Sequence, residues 1–196
     1  MTWRAPEPLA VSHRLEGFDC GQPTLNQWLV HHARQAQASG SARTFVVADQ
    51  DDRVAGYFSL TVGQIDTAEA PERLRQGMGR FPLPVVILAR LAVSSDHQGL
   101  GIGVGMLQDA IRRTLLIAEQ AGIRAILTHP LNENAAGFYT RFGFIPSPLR
   151  PQQLLLLFKD ARKIRHSGLP QFAGSRSEGA QDWTIFLRNM NVCATD

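Results

Sequence analysis

The sequence predicts an α/β fold, a mixed central sheet flanked by helices, and three observations carry that expectation. Apolar runs of strand length alternate with stretches of helical period through most of the chain. Two of the runs, "RTFVVA" and "RVAGYFSLTVGQI", are separated only by the polar "DQDD", which reads as an antiparallel pair joined by a turn. A glycine-rich turn stands between a later apolar run and the longest helical pattern. The order of helix, antiparallel strands, then strand, glycine loop, helix, strand, helix and strand suits an α/β sandwich rather than a doubly wound parallel sheet. At 196 residues the chain is long enough for one well-buried domain.

Each element has a local justification. Over 24–38, Leu25, Trp28, Leu29, His32, Ala33 and Ala36 share one helical face, and Thr24 with Gln27 three residues on matches a capping box. A charged, proline-bounded stretch follows the two strands, with a short helix expected at 71–76. The apolar strand from Val85 to Val93 leads into "HQGLGIGVGML". After it, Val104, Leu107, Ala110, Ile111, Leu115 and Ala118 recur every three or four residues, and Gly122 stands where that helix ends. "IRAILTH" reads as a short buried strand, "NENAAGFYTRF" as a short helix closed by Gly143, and "QLLLLF" as a last strand. The segment 168–196 is Gly/Ser-rich and weakly periodic, so a domain over 1–167 is expected to carry a poorly ordered or loosely docked tail.

Composition excludes several classes. No apolar run approaches the roughly 18 residues of a membrane span, and the first residues lack the segments of a signal peptide, so a cytoplasmic protein is expected. Cys20 and Cys193 lie near opposite ends without metal-ligand spacing, which argues against a zinc site or a disulfide framework. The formal net charge is +3, and Lys159 and Lys163 are its only lysines, so arginine carries nearly all the positive charge. The planar guanidinium suits phosphate. A compositional bias is the alternative explanation.

The glycine turn raises a chemical question, because a strand-to-helix turn this bare commonly lets main-chain N–H groups approach a phosphate. A dinucleotide fingerprint fails, since its third glycine falls on Val104 or Met106. A P-loop fails because the stretch has no lysine. Gln-x-x-Gly-x-Gly fits, filled by Gln98, Gly101 and Gly103 with Gly99, Leu100 and Ile102 between. A turn shaped for packing remains the alternative. About thirty residues on, "NENAAGFYTRFGF" supplies Asn132, Ala135, Tyr139, Gly143 and Phe144 in the pattern Asn-x-x-Ala-x-x-x-Tyr-x-x-x-Gly-Phe.

Together these two motifs resemble the GNAT acetyltransferase superfamily. The resemblance implies the GNAT fold, whose sheet splays to admit acetyl-CoA as co-substrate. It places the diphosphate on Gln98, Gly99, Leu100, Gly101, Ile102 and Gly103, and the pantetheine amides along Leu91, Ala92 and Val93. There an amide N–H polarises the thioester carbonyl. Tyr139 matches the general acid that protonates the leaving thiolate, although aromatic packing is its other reading, and Asn132 matches a pantetheine contact or a helix cap. No carboxylate falls near the motifs as an obvious base, since Asp96 and Glu133 read as solvated. That absence favours an acceptor amine of low pKa, such as an α-amine near 7.7–8.0, over a lysine near 10.4.

"FDCGQPTLNQWL", "SARTFVVADQDDRVAGYFSL" and "PVVILARLAVSSDHQGLGIG" further resemble the GNAT toxins of type II toxin-antitoxin systems. This resemblance implies acetylation of the α-amine of aminoacyl-tRNA, inhibition of translation and a ribbon-helix-helix antitoxin as partner; the oligomeric state stays open, a homodimer being one option. Arg75, Arg80 and Arg90 are candidate contacts to RNA phosphates, with plain solvated surface as the alternative. Cys20 has no paired base and reads as a packing residue. A small-molecule or protein N-acetyltransferase would share the same cofactor residues, and a non-catalytic acyl-CoA or RNA-binding module would keep the loop without needing Tyr139.

Overall fold

The computed structural model describes residues 3–77, 79 and 81–166, with the backbone alone over 163–166. Arg80 and the tail 168–196 lie outside the described residues. Seven strands form one sheet in the order β1-β2-β3-β4-β5-β7-β6. They are β1 (Glu7–Pro8), β2 (Arg43–Ala48), β3 (Val54–Ile65), β4 (Leu83–Val93), β5 (Ala125–Thr128), β6 (Ile145–Pro146) and β7 (Leu154–Leu157). The sheet is mixed: β4 and β5 run parallel, whereas β1 with β2, β5 with β7, and β6 with β7 are antiparallel. The parallel step follows from the long helical crossover between β4 and β5.

The chain divides into two compact units. The first comprises residues 3–59 and 90–109 of the described chain. Its core gathers Leu15, Phe18, Leu29, Ala33, Val46, Tyr57 and Ala92. It contains α1 (Pro23–His31) and α2 (Ala33–Ala38), which the sequence suggested as one helix. The break falls at His32, whose backbone leaves helical geometry at φ −120° and ψ −25° and whose side chain is exposed rather than on the buried face. Thr24 does not cap α1. Gln22 is the N-cap and Pro23 occupies the first turn, where its fixed φ suits the helix and its missing N–H is not needed.

The second unit comprises 60–89 and 110–166 of the described chain. Its core packs Ile65, Leu74, Leu83, Val85, Leu127, Leu155 and Leu157. α3 (Glu72–Arg75) lies within the expected 71–76. The helix α4 (Ile102–Ala121) runs from the first unit into the second and buries Leu107, Ala110, Ile111 and Leu115, four of the six positions expected from its period. α5 (Glu133–Arg141) ends at Gly143, whose φ of +82° is the left-handed geometry expected of a helix terminator. α6 (Phe158–His166) begins directly where β7 stops, an element the sequence pattern did not announce.

Candidate active site

The glycine loop and the start of α4 have the backbone geometry that suits an anion. Gly99 and Gly101 have φ of +75° and +81°, a region that a side chain with a Cβ adopts only at a cost. The first bond of α4 runs from the Gly105 N–H to the Gly101 carbonyl at 3.0 Å. Helix geometry therefore leaves the N–H groups of Ile102, Gly103 and Val104 without an intrahelical acceptor. No acidic residue occupies the first turn, so the positive end of the helix is not neutralised from within that turn. At Gly103 an added Cβ would meet Val93 Cγ2 at 3.5 Å, an ordinary contact, so the packing of the protein does not itself demand glycine there.

The loop is held from behind by the segment around Cys20. Gln98 Nε2 donates to the Val93 carbonyl at 3.0 Å and to the Cys20 carbonyl at 3.4 Å, which ties the loop to the end of β4. The Ser95 N–H donates to the Asp19 carbonyl at 2.8 Å. Asn26, on α1, knots this support: its Nδ2 donates to Asp19 Oδ1 at 2.7 Å, and its Oδ1 accepts from the Cys20 N–H and the Cys20 thiol, each at 3.0 Å. The Gly21 N–H and the Asn26 amide hold the Asp19 carboxyl below its ordinary range. Burial pushes the Cys20 thiol up, so it is a packed hydrogen-bond donor rather than a ready nucleophile.

β4 supplies the second feature. Its ladder with β5 runs from Val86↔Ile126 to Leu88↔Thr128, and β5 then ends while β4 continues to Val93. The Ser94 N–H still donates to the Ala55 carbonyl of β3 at 2.8 Å. Leu91, Ala92 and Val93 thus lie on a stretch of β4 beyond its β5 partner, the arrangement that strand-like pairing with an extended ligand requires.

Tyr139 and Asn132 stand in the second unit, on α5. Asn132 is the helix cap, its Oδ1 accepting from the Ala135 N–H at 2.9 Å, which leaves its amide nitrogen available as a donor. Tyr139 is buried, edge-on to Phe138 at 5.2 Å and tilted against Phe144 at 5.3 Å. Burial pushes its phenol up to about 12, opposed by a hydrogen bond with the Thr128 side chain, whose Oγ1 donates to the Leu88 carbonyl at 3.0 Å. The phenol is therefore neutral and a proton donor throughout the physiological range. Asp96 and Glu133 are exposed, as expected, and Arg75 is exposed on α3. Among the described residues no group of His, Cys, Asp or Glu is arranged to hold a metal, and no helix is long and apolar enough to cross a membrane.

The sequence reading missed Trp28, Tyr57 and Thr128 as neighbours of candidate residues. Trp28 was visible only as an apolar helix position. Its packing beside Tyr57 and Arg90 joins residues far apart in the chain.

A titration tests the burial of the two tyrosines, Tyr57 and Tyr139. Burial raises both above the ordinary value of 10.0. The native state thus keeps both protons after the unfolded chain begins to lose them, so this contribution to stability is complete below pH 10 and is lost as pH rises toward 12. Native protein is expected to show almost no tyrosinate absorbance at pH 10, whereas protein in denaturant shows about half of its full signal. Equal titration in both would place the hydroxyls in water.

Comparison with known proteins gives the family of the chain. A family profile described as an acetyltransferase (GNAT) domain matches residues 41–146. A tRNA-acetylating toxin of Mycobacterium tuberculosis is 40% identical over 162 residues, covering 83% of this chain and 96% of its own length. The solved structure of AtaT complexed with acetyl-methionyl-tRNAfMet aligns with a TM-score of 0.76 at 26% identity, over 82% of this chain and 98% of that one. AtaTR bound with AcCoA aligns at 0.73 and 26%, over 84% and 98%. A mutant AtaT toxin bound to the C-terminus of the antitoxin AtaR aligns at 0.72 and 25%, over 83% and 97%. The profile covers more than half of the sequence, and the mycobacterial relative is matched along nearly its whole length, so this chain belongs to the GNAT acetyltransferase family.

Proposed function

We propose that the chain is an acetyl-CoA-dependent N-acetyltransferase that acetylates the α-amine of aminoacyl-tRNA, and so a toxin that inhibits translation. The observation that carries the cofactor half is the anion cradle at Gln98–Gly103, where free helix N–H groups meet no acidic side chain in the first turn. In this reading the diphosphate lies on Gln98, Gly99, Leu100, Gly101, Ile102 and Gly103. The pantetheine amides pair with Leu91, Ala92 and Val93, and Asn132 offers its remaining amide hydrogens. The amine nitrogen bonds to the acetyl carbon as the C–S bond breaks, and Tyr139 holds its proton against the departing sulfur. Asp96 and Glu133, the carboxylates nearest the two motifs, are both exposed rather than set as a buried base, which suits an α-amine that is already partly neutral at physiological pH.

The acceptor half is supported by likeness to the tRNA-acetylating toxin and to AtaT with acetyl-methionyl-tRNAfMet. Arg75, Arg80 and Arg90 are the proposed phosphate contacts. The partners are a ribbon-helix-helix antitoxin and a second copy of the chain, and the setting is the cytoplasm.

Labelled acetyl-CoA incubated with a charged tRNA pool is expected to give N-acetyl-aminoacyl-tRNA, less readily as salt rises. Charged tRNA left unacetylated while a polyamine, an antibiotic amine or a peptide lysine is rapidly modified would overturn the acceptor and favour the small-molecule or protein alternative.

A further inference from the structure

Arg90 differs from the other described arginines. Its guanidinium carbon lies 4.0 Å from the centroid of the Trp28 ring. Trp28 in turn stacks on Tyr57 at 5.9 Å with an interplanar angle of 15°, and Tyr57 is fully buried with its hydroxyl donating to the Leu25 carbonyl at 2.9 Å. The cation thus caps a column of rings whose base is fixed in the core. Arg4, Arg73 and Arg150 each reach a carboxylate, and Arg34 donates to the Val11 and His13 carbonyls. Arg75, Arg124 and Arg141 are exposed to water. Arg90 is half-buried, and among the described residues no carboxylate or carbonyl lies within bonding distance of it.

A cation removed from water without an anion is costly to the fold. The ring column offsets part of that cost and fixes the guanidinium in place, but it leaves the N–H donors unused. Such a group is organised for an anion that arrives from outside. Its place in the strand narrows which anion. Side chains alternate along β4, and Ala92 packs into the cluster that holds Tyr57 and Leu29, so Arg90 shares that face. Val93 points the other way, toward Gly103 at the start of α4. Arg90 therefore sits on the opposite face of the strand from the cradle that takes the donor's diphosphate.

Resting on the acceptor reading above, we infer that Arg90, held on Trp28, receives a phosphodiester of the charged RNA close to its aminoacylated end. Trp28 is a positioning residue for that contact, since it sets the guanidinium without itself meeting the phosphate.

The test uses the full chain and measures the Michaelis constants for charged tRNA and for acetyl-CoA separately, over a range of salt. Arg90→Gln keeps the stem and a planar group over Trp28 but removes the charge. It is expected to raise the constant for charged tRNA about ten- to a hundredfold, the range of a lost charge-assisted bond, with the constant for acetyl-CoA unchanged. Removing one phosphate contact should also lower the log–log salt slope by about 0.7–0.9. Trp28→Ala is expected to raise the tRNA constant in the same way, and Trp28→Phe, which restores a ring beneath the cation, to stay close to the parent. Arg90→Lys keeps the charge, so it should keep the salt slope while losing affinity, and it serves if the glutamine variant does not fold. A rise in the acetyl-CoA constant alone would assign the anion to the donor and overturn the proposal. An unchanged salt slope in Arg90→Gln would reduce the column to packing, with the same consequence. A parent protein that neither binds nor acetylates charged tRNA removes the acceptor reading itself, and that result is visible before any variant is made.

Discussion

Tyr139→Phe is expected to fold, to bind acetyl-CoA, and to transfer acetyl about a hundred to ten thousand times more slowly, the range associated with losing a general acid. The phenyl ring keeps the contacts with Phe138 and Phe144 and the burial that hold the position, so only the hydroxyl and its hydrogen bond with Thr128 are lost. The acid strengths shape how that hydroxyl works. Burial pushes the phenol up to about 12, well above a thiol near 8.5. Full transfer of the proton to the thiolate is therefore uphill unless another proton replaces it. Attack converts the amine to a strongly acidic ammonium, and its proton is available to restore the phenol as the C–S bond breaks. In the proposed mechanism Tyr139 thus lends a proton rather than consuming one. Single-turnover acetylation, with thermal shift by acetyl-CoA measured in parallel, separates this from a binding defect. Turnover near the parent rate would hand the role to water or to another group.

The features that were legible in the sequence are those whose cause is local. A glycine loop needs particular backbone angles, and Gly99 and Gly101 have them. The motif around Tyr139 lies on a single short helix, and the ends of that helix, Asn132 and Gly143, are the residues that a capping argument selects. α4 could be read because its apolar period is long enough to average over exceptions such as Val104. What stayed hidden depends on partners distant in the chain. The break at His32 was masked by a helical period that runs through it, and Pro23, rather than Thr24, set the start of α1. Asn26 looked like one polar position on a helix, yet it organises Asp19 and Cys20 behind the glycine loop. Arg75 and Arg90 were equal candidates by residue type alone. Folding separates them, leaving one on an exposed helix and the other half-buried on Trp28.

Gly101→Val is expected to abolish the rise in melting temperature that acetyl-CoA gives the parent. Ligand that binds only the folded state stabilises it by about 2.7 kcal/mol at a hundredfold excess over its dissociation constant, so the parent's shift is large enough to lose clearly. Two effects of the substitution must be separated. At φ +81° a β-branched side chain strains the backbone by about 1–3 kcal/mol, so the protein melts earlier even without ligand. Independently, the side chain and the altered backbone displace the N–H groups at the start of α4 that the proposed site offers to the diphosphate. Gly40→Val isolates the first effect, because Gly40 has a similar φ of +74°, nothing within 4 Å of an added Cβ, and a position beyond the end of α2. Both variants should lose stability to a similar degree, yet only Gly101→Val should lose the response to acetyl-CoA. An undiminished shift in Gly101→Val would remove the glycine loop from the cofactor site. Loss of the shift in both would mean that strain anywhere in this unit, rather than occlusion at Gly101, disables binding.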